Sequence, residues 1–139
     1  ALPIYISDEN IKPEAVFEKV GFSIGQRDKL IVDYTFEEKK LLQLASIYVI
    51  NPYIILFDEP LDYCDNEYVE KFIEVINSVK SGRIVIISSS LLEISLRISP
   101  DTIVLNNGEF NYIDKQTMAI PEIRKAVLDI LGEADNEIV

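Results

Sequence analysis

The stretch Tyr53-Ile54-Ile55-Leu56-Phe57-Asp58-Glu59-Pro60 constrains the fold of this chain more than any other. A strand with one wet face alternates apolar and polar residues. This run does not alternate, so it reads as a strand buried on both faces, as in a parallel sheet. It ends in two carboxylates, and a proline closes it. Asp58 and Glu59 therefore sit at the carboxyl edge of the sheet, where open α/β sheets place their ligands. Asp58 is a candidate ligand for a hard cation such as Mg²⁺, and Glu59 a candidate to orient or deprotonate a water. The plainer alternative is an acidic turn where a buried strand reaches the surface.

The flanking segments fit the same architecture. Ile4-Tyr5-Ile6 is a short strand candidate. Lys12-Pro13-Glu14 opens a helix carrying Ala15, Val16, Phe17 and Val20, which Gly21 stops. Residues 22–33 are polar and mixed, with Gly25-Gln26-Arg27-Asp28 read as a loop. Thr35-Phe36-Glu37-Glu38 is a capping box, with Thr35 as N-cap and Glu38 three residues on. Its helix carries Leu41, Leu42, Leu44, Ala45 and Tyr48, and ends before Asn51-Pro52. After the acidic strand comes a turn over 60–66. A helix follows with Tyr68, Val69, Phe72, Ile73, Ile76 and Val79 on one face, at a 3.6-residue period. Ser81-Gly82 ends it. Residues 83–87 form a second apolar strand running into Ser88-Ser89-Ser90. Ser90-Leu91-Leu92-Glu93 reads as another capping box, opening a short helix to about Ile98. Strands over 102–105 and 109–113 flank Asn106-Asn107-Gly108, a hairpin signal. A last helix starts at Pro121 and ends near Leu131-Gly132. The fold class is α/β, a parallel sheet with a helical segment, a closing antiparallel hairpin and a C-terminal helix.

Composition narrows the function. The 139 residues are 48% hydrophobic, enough for a core, and carry a net charge of −11. Such a surface repels nucleic acid and anionic lipid, so no direct nucleic-acid role is expected. There is no histidine, which excludes histidine triads and histidine metal sites, and Cys64 has no second cysteine to pair with. No apolar run approaches the ~20 residues needed to span a bilayer, and no signal-peptide pattern opens the chain. A cytoplasmic location without membrane insertion follows by default. The first residue is Ala1 rather than Met, so an upstream part is expected.

Taken in order, these segments resemble the C-terminal two-thirds of an ATP-binding cassette (ABC) ATPase domain, over roughly residues 35–110. The resemblance implies part of a P-loop NTPase (RecA-like) sheet. It also implies a helical, Q-loop-like region over 1–34, then the signature helix, Walker B strand and switch over 35–114. A C-terminal helix and tail occupy 115–139. Residues 54–58 match the Walker B strand. By resemblance Asp58 holds the Mg²⁺ of Mg-ATP and Glu59 is the catalytic base that polarises the attacking water. Pro60-Leu61-Asp62-Tyr63-Cys64-Asp65 matches the D-loop, and Asp65 aligns with its final Asp, which contacts the opposing subunit in family dimers. The alternative for Asp65, an N-cap of the next helix, is compatible with that role. Tyr34-Thr35-Phe36-Glu37-Glu38 stands where the family has Leu-Ser-Gly-Gly-Gln, so Thr35 and Glu38 hold cofactor-facing positions. Ser89 stands where the family carries the switch histidine, although Ser88 to Ser90 also read as a helix cap.

The departures matter as much as the matches. In the family the signature hydroxyl, glycine amides and helix N-terminus grip a partner-bound γ-phosphate. Here Phe36 and Glu37 replace the two glycines, and Glu37 and Glu38 bring carboxylates to a phosphate position. A like-charge contact at ~4 Å costs on the order of 1–4 kcal/mol at effective dielectrics between water and a protein surface. The phosphate-binding Gly-x-x-x-x-Gly-Lys-Ser/Thr is absent from the chain. Asp8 lies near the Q-loop glutamine position, whereas Gln26 and Gln43 stand in the wrong contexts.

Two readings follow. In the first, the chain is an ATP-binding subunit, or a fragment of one, of an ABC-type ATPase, most simply an ABC transporter, with an impaired composite ATP site. Its cofactors are ATP and Mg²⁺, both needing elements outside this chain. Its partners are a second ABC ATPase subunit or domain and a transporter membrane subunit, which place it peripherally at the inner face of the membrane. It is an ATPase only within a longer chain or with a partner, and inactive alone. In the second, it is a non-catalytic protein-binding module with a degenerate ABC fold. A chromosomal or repair ATPase of the same superfamily is disfavoured by the acidic balance.

Overall fold

The computed structural model describes residues 12–99, 101–114 and 118–132. The strand expected at Ile4-Tyr5-Ile6, Asp8 and the tail after Gly132 lie outside the described residues. The chain divides into two compact units, one ending at Ser89 and the other beginning at Ser90.

The first unit runs α1 (Pro13–Lys19), α2 (Ile24–Arg27), a 3-10 turn (Ile31–Asp33), α3 (Phe36–Ile50), β1 (Ile54–Asp58), α4 (Asn66–Val79) and β2 (Ile84–Ser88). The α3 helix stops where Asn51 takes a left-handed backbone, φ +51°. Pro52 then forbids a further turn. β1 and β2 pair in parallel, from Ile54 opposite Ile84 to Asp58 opposite Ser88. Parallel strands need a long crossover, and α4 supplies it. Its apolar stripe buries Tyr68, Val69, Phe72, Val75, Ile76 and Val79. Phe72 is fully buried and meets Phe57 of β1 edge-on, with ring centroids 5.1 Å apart. Arg83 fastens the start of β2, its guanidinium donating to the carbonyls of Pro52 and Val79 and to the Asn51 side chain.

Two expectations about this unit are corrected. Residues 25–28 are not a loop, because Ile24–Arg27 forms one helical turn. The Gln26 side chain reaches back to accept the Ser23 amide at 2.7 Å, a local cap that stabilises a turn containing a glycine. The apolar strands are also not covered on both faces. Ile55 is buried, but the opposite face carries Ile54, Leu56, Ile84 and Ile86, each 56–70% exposed. Side chains alternate along a strand, so Asp58 and Ser88 end this same open face.

The second unit holds α5 (Leu92–Ile98), β3 (Thr102–Asn106), β4 (Glu109–Ile113) and α6 (Ile120–Leu131). β3 and β4 form the expected antiparallel hairpin. Its two turn residues, Asn107 and Gly108, both have positive φ, +50° and +81°, as a two-residue hairpin turn requires. Val104 and Ile113 pack with Ile123 and Val127 of α6 into a small core flanked by Leu92 and Leu96. The capping box expected at Ser90 is displaced. α5 begins at Leu92 with Leu91 at the N-cap and no side-chain cap bond. Glu93 instead pairs with Arg124 of α6 at 2.8 Å, so its carboxylate serves tertiary packing.

Phe72 is the side chain on which the β1–α4 packing turns. Phe72→Ala is expected to cost about 3–5 kcal/mol. Urea unfolding followed by circular dichroism checks this, and a loss near the ~0.5 kcal/mol of surface substitutions would contradict it.

Candidate functional site

The carboxyl ends of β1 and β2 meet at Asp58 and Ser88, which are register partners. The Ser88 hydroxyl donates to Asp58 Oδ1 at 2.6 Å. The Glu59 amide donates both to the Ser88 carbonyl and to Ser88 Oγ, each at 3.2 Å. Glu59 has φ +42°, a left-handed conformation that non-glycine residues seldom adopt. Strained backbone of this kind persists only where its surroundings over-determine it, and it concentrates at functional sites. Here Ser88 supplies part of that hold. Ser88 is the residue that sequence reasoning missed at this edge. From sequence it reads as part of a helix cap, while the family resemblance puts the switch position at Ser89. The structure gives the contact with Asp58 to Ser88, and Ser89 follows it, half-buried, one residue beyond β2. The missing signal is strand register, which a one-residue shift inverts.

Asp58 and Glu59 line a cleft of about 260 Å³ together with Leu56, Phe57, Pro60, Lys40, Gln43, Leu44 and Tyr68. Tyr68 is buried, and the loss of water raises its phenol above the ordinary range, with the charge of the nearby Cys64 sulfur adding to the rise. It is a neutral wall of the cleft. Among the described residues no group of three or more Cys, Asp or Glu is placed to hold a metal ion. A divalent cation at Asp58 would therefore share its coordination with waters and phosphate oxygens, the arrangement Mg²⁺ favours. A carboxylate has two oxygens, so the Ser88 bond to Oδ1 orients Asp58 without consuming it.

Asp65 stands at the other end of the 60–65 loop. Its Oδ1 accepts the Tyr68 amide at 2.8 Å and caps α4. That is the structural role anticipated for it.

The N-terminus of α3 is organised around Glu38. Thr35 Oγ1 accepts the Glu38 amide at 3.2 Å, and the Thr35 amide donates to Glu38 Oε2 at 2.8 Å. The other oxygen, Oε1, accepts from Gln26 Nε2 at 2.8 Å and from Lys29 Nζ at 3.0 Å. The residue is 8% exposed. These bonds, the Thr35 amide first and then Gln26 and Lys29, lower the carboxyl from its ordinary value of 4.5 to about 2. An anion thus already occupies the positive end of the helix. Thr35 and Glu38 are brought together, but toward each other. α2, absent from the sequence reading, is what delivers Gln26 to this cage.

No helix among the described residues is long and apolar enough to cross a membrane. No family model matches the chain. It is similar to the energy-coupling factor transporter ATP-binding protein EcfA of Methanothermobacter thermautotrophicus, 33% identical over 93 residues, covering 66% of this chain and 30% of the relative. It is also similar to the L-cystine import ATP-binding protein TcyN of Bacillus subtilis, 30% identical over 98 residues, covering 68% of this chain and 38% of the relative. A third relative is the energy-coupling factor transporter ATP-binding protein EcfA2 of Mycoplasma pneumoniae, 27% identical over 93 residues and covering 66% and 31%. The chain spans about a third of the length of these curated relatives. The similarity over this part supports an ABC ATPase domain, and the parallel α/β pair of the first unit is compatible with a fragment of a P-loop NTPase fold.

The Glu38 cage has a pH signature. Its folded carboxyl lies below its unfolded value, so its stabilisation is complete above pH 4.5 and is lost as pH falls from 4.5 toward 2. Urea midpoints of the native chain are expected to fall more steeply across that window than those of Glu38→Gln. Parallel curves for the two proteins would contradict the cage.

Proposed function

We propose that this chain is the part of an ABC-type ATPase domain that follows the phosphate-binding loop, and that it works within a longer polypeptide as an ATP-binding subunit of a transporter. The observation that carries the proposal is the Asp58–Ser88–Glu59 constellation at the carboxyl edge of a parallel pair. In it, Asp58 is the Mg²⁺ ligand, oriented by the Ser88 hydroxyl. Glu59 is the base that orients the attacking water, its backbone held by Ser88. Bound Mg-ATP supplies the phosphoryl group and the metal charge that neutralises it. The protein's part is to hold one carboxylate on the metal and present the other to water.

The open face of β1 and β2 supports the same reading. Parallel sheets are stable with both faces covered. Ile54, Leu56, Ile84 and Ile86 form an apolar face that leads directly to Asp58. Whatever covers it arrives beside the carboxylates, the position a phosphate-binding segment needs. The relatives, about twice as long as this chain, have chain enough for such a segment.

The Glu38 cage adds an asymmetry. Glu38, Glu37 and Phe36 close the α3 N-terminus to a phosphate, so the composite site built on that surface is impaired. This suits a pair in which a second, better-formed ATPase subunit or domain completes the working site, with a membrane subunit as the driven partner and a peripheral cytoplasmic location. The cage equally favours the alternative, a non-catalytic binding module that kept the fold. The acidic pair weighs against that alternative, because such carboxylates are costly to retain beside apolar surface without a ligand.

Turnover separates the two. The 139-residue chain alone is expected to show no Mg-ATP hydrolysis. The full-length polypeptide with its partner is expected to hydrolyse, and Glu59→Gln to lower the rate by about 10²–10⁴-fold. Turnover by the isolated chain that Glu59→Gln abolishes would sink the requirement for upstream elements. Full-length turnover indifferent to Glu59→Gln would sink the assignment of the base. Restoring the signature with Thr35→Ser, Phe36→Gly and Glu37→Gly is expected to leave the isolated chain inactive, and activity in that variant would show that the missing cradle is dispensable.

A further inference from the structure

Lys40 lies in the second turn of α3, half-buried between two aromatic rings. Its ammonium is 4.7 Å from the Phe36 ring centroid and 5.7 Å from that of Tyr68. An ammonium has three protons to donate. Here they reach three acceptors on one loop: the Pro60 carbonyl at 2.8 Å, the Asp62 carbonyl at 3.0 Å and Cys64 Sγ at 3.2 Å.

That loop begins directly after Glu59 and ends at Asp65, the cap of α4. It contains a second non-glycine residue with positive φ, Tyr63 at +58°, in addition to Glu59 at +42°. Its own backbone bonds are long: the Asp62 amide to the Glu59 carbonyl and the Cys64 amide to the Leu61 carbonyl, both 3.3 Å. The Tyr63 side chain is 92% exposed and packs little, while Leu61 is buried and anchors the loop from below. A segment with two strained residues and weak internal bonds needs an external hold. Charge-assisted bonds to carbonyls are stronger than neutral ones, and two aromatic faces confine the cation that makes them.

We propose that Lys40 is a positioning residue, which fixes the 60–64 loop and through it the backbone that presents Glu59 and Asp65. This deepens the hydrolytic reading of Asp58 and Glu59 and rests on it. Lys40 acts through the loop and does not touch the reacting groups. The contacts also join α3, whose first turn carries Phe36 and the Glu38 cage, to the acidic end of β1. One side chain therefore sets the spacing between the two surfaces that the ATP-site reading uses.

The test has two arms, both on the full-length polypeptide with its partner. Hydrogen exchange measured by mass spectrometry reads the hold itself. In Lys40→Met, peptides covering 60–65 are expected to exchange about ten-fold faster, with those of α4 unchanged. Steady-state kinetics read the positioning. The kcat for Mg-ATP is expected to fall about ten-fold with KM within about two-fold, the pattern of a lost transition-state interaction. Lys40→Arg is expected to recover most of both, because a guanidinium can also donate to two carbonyls and stack on Phe36. Unchanged loop exchange overturns the proposal whatever the turnover. Faster exchange with unchanged kcat overturns the positioning role. Faster exchange throughout α4 as well overturns a local hold in favour of general destabilisation. A native polypeptide with no turnover overturns the hydrolytic reading and the positioning role together, and the exchange arm still reports whether Lys40 holds the loop.

Discussion

The parallel pairing of β1 and β2 through α4 is the constraint on which the rest depends. A hairpin would join two strands with opposite sense and put their ends at opposite edges. A helical crossover brings both carboxyl ends to one edge, and the register then sets Asp58 against Ser88. The hydroxyl of one strand orients the carboxylate of the other at 2.6 Å, and the same serine takes the amide of the next residue, Glu59. Phe72 secures this from below by packing α4 against Phe57. Packing, register and candidate chemistry are thus successive consequences of one crossover.

The α3 helix meets the site from the other side, and its first two turns do different work. At the N-terminus, Glu38 has taken the place an external anion would use, with Gln26 and Lys29 as its own donors. One turn later, Lys40 spends its donors on the loop that follows the acidic pair. The first arrangement satisfies the helix end from within the chain, and the second ties α3 to a strained connection.

Local signals carried much of this into the sequence. The unbroken apolar run before Asp58, the Thr35–Glu38 capping box, the helical stripe of α4 and the Asn107-Gly108 turn each depend on neighbours within a few residues, and each is found in place. What stayed hidden depends on distance or on register. Ser88 and Asp58 are 30 residues apart, and Lys40 meets acceptors 20 to 24 residues away. The single turn of α2 was obscured by Gly25 and by polar neighbours, because its stabilisation comes from one side-chain cap and from the Glu38 cage. The cap of α5 was displaced because Glu93 pairs with Arg124 on another helix. The open face of the sheet could not be read at all, since a non-alternating strand says that both faces want cover and not which segment provides it.

The account's central claim is that these strands are one part of a larger nucleotide-binding domain, and the size of the native polypeptide tests it most directly. The measurement is the intact mass of the protein captured from its source with an antibody to residues 35–49, together with the identity of what co-purifies. The expected result is a mass well above the 15.8 kDa of this chain, with a phosphate-binding loop in the added sequence and a second ATP-binding polypeptide or domain and a membrane subunit in the complex. A native mass equal to 15.8 kDa would contradict it and leave a free-standing module whose partners carry the function.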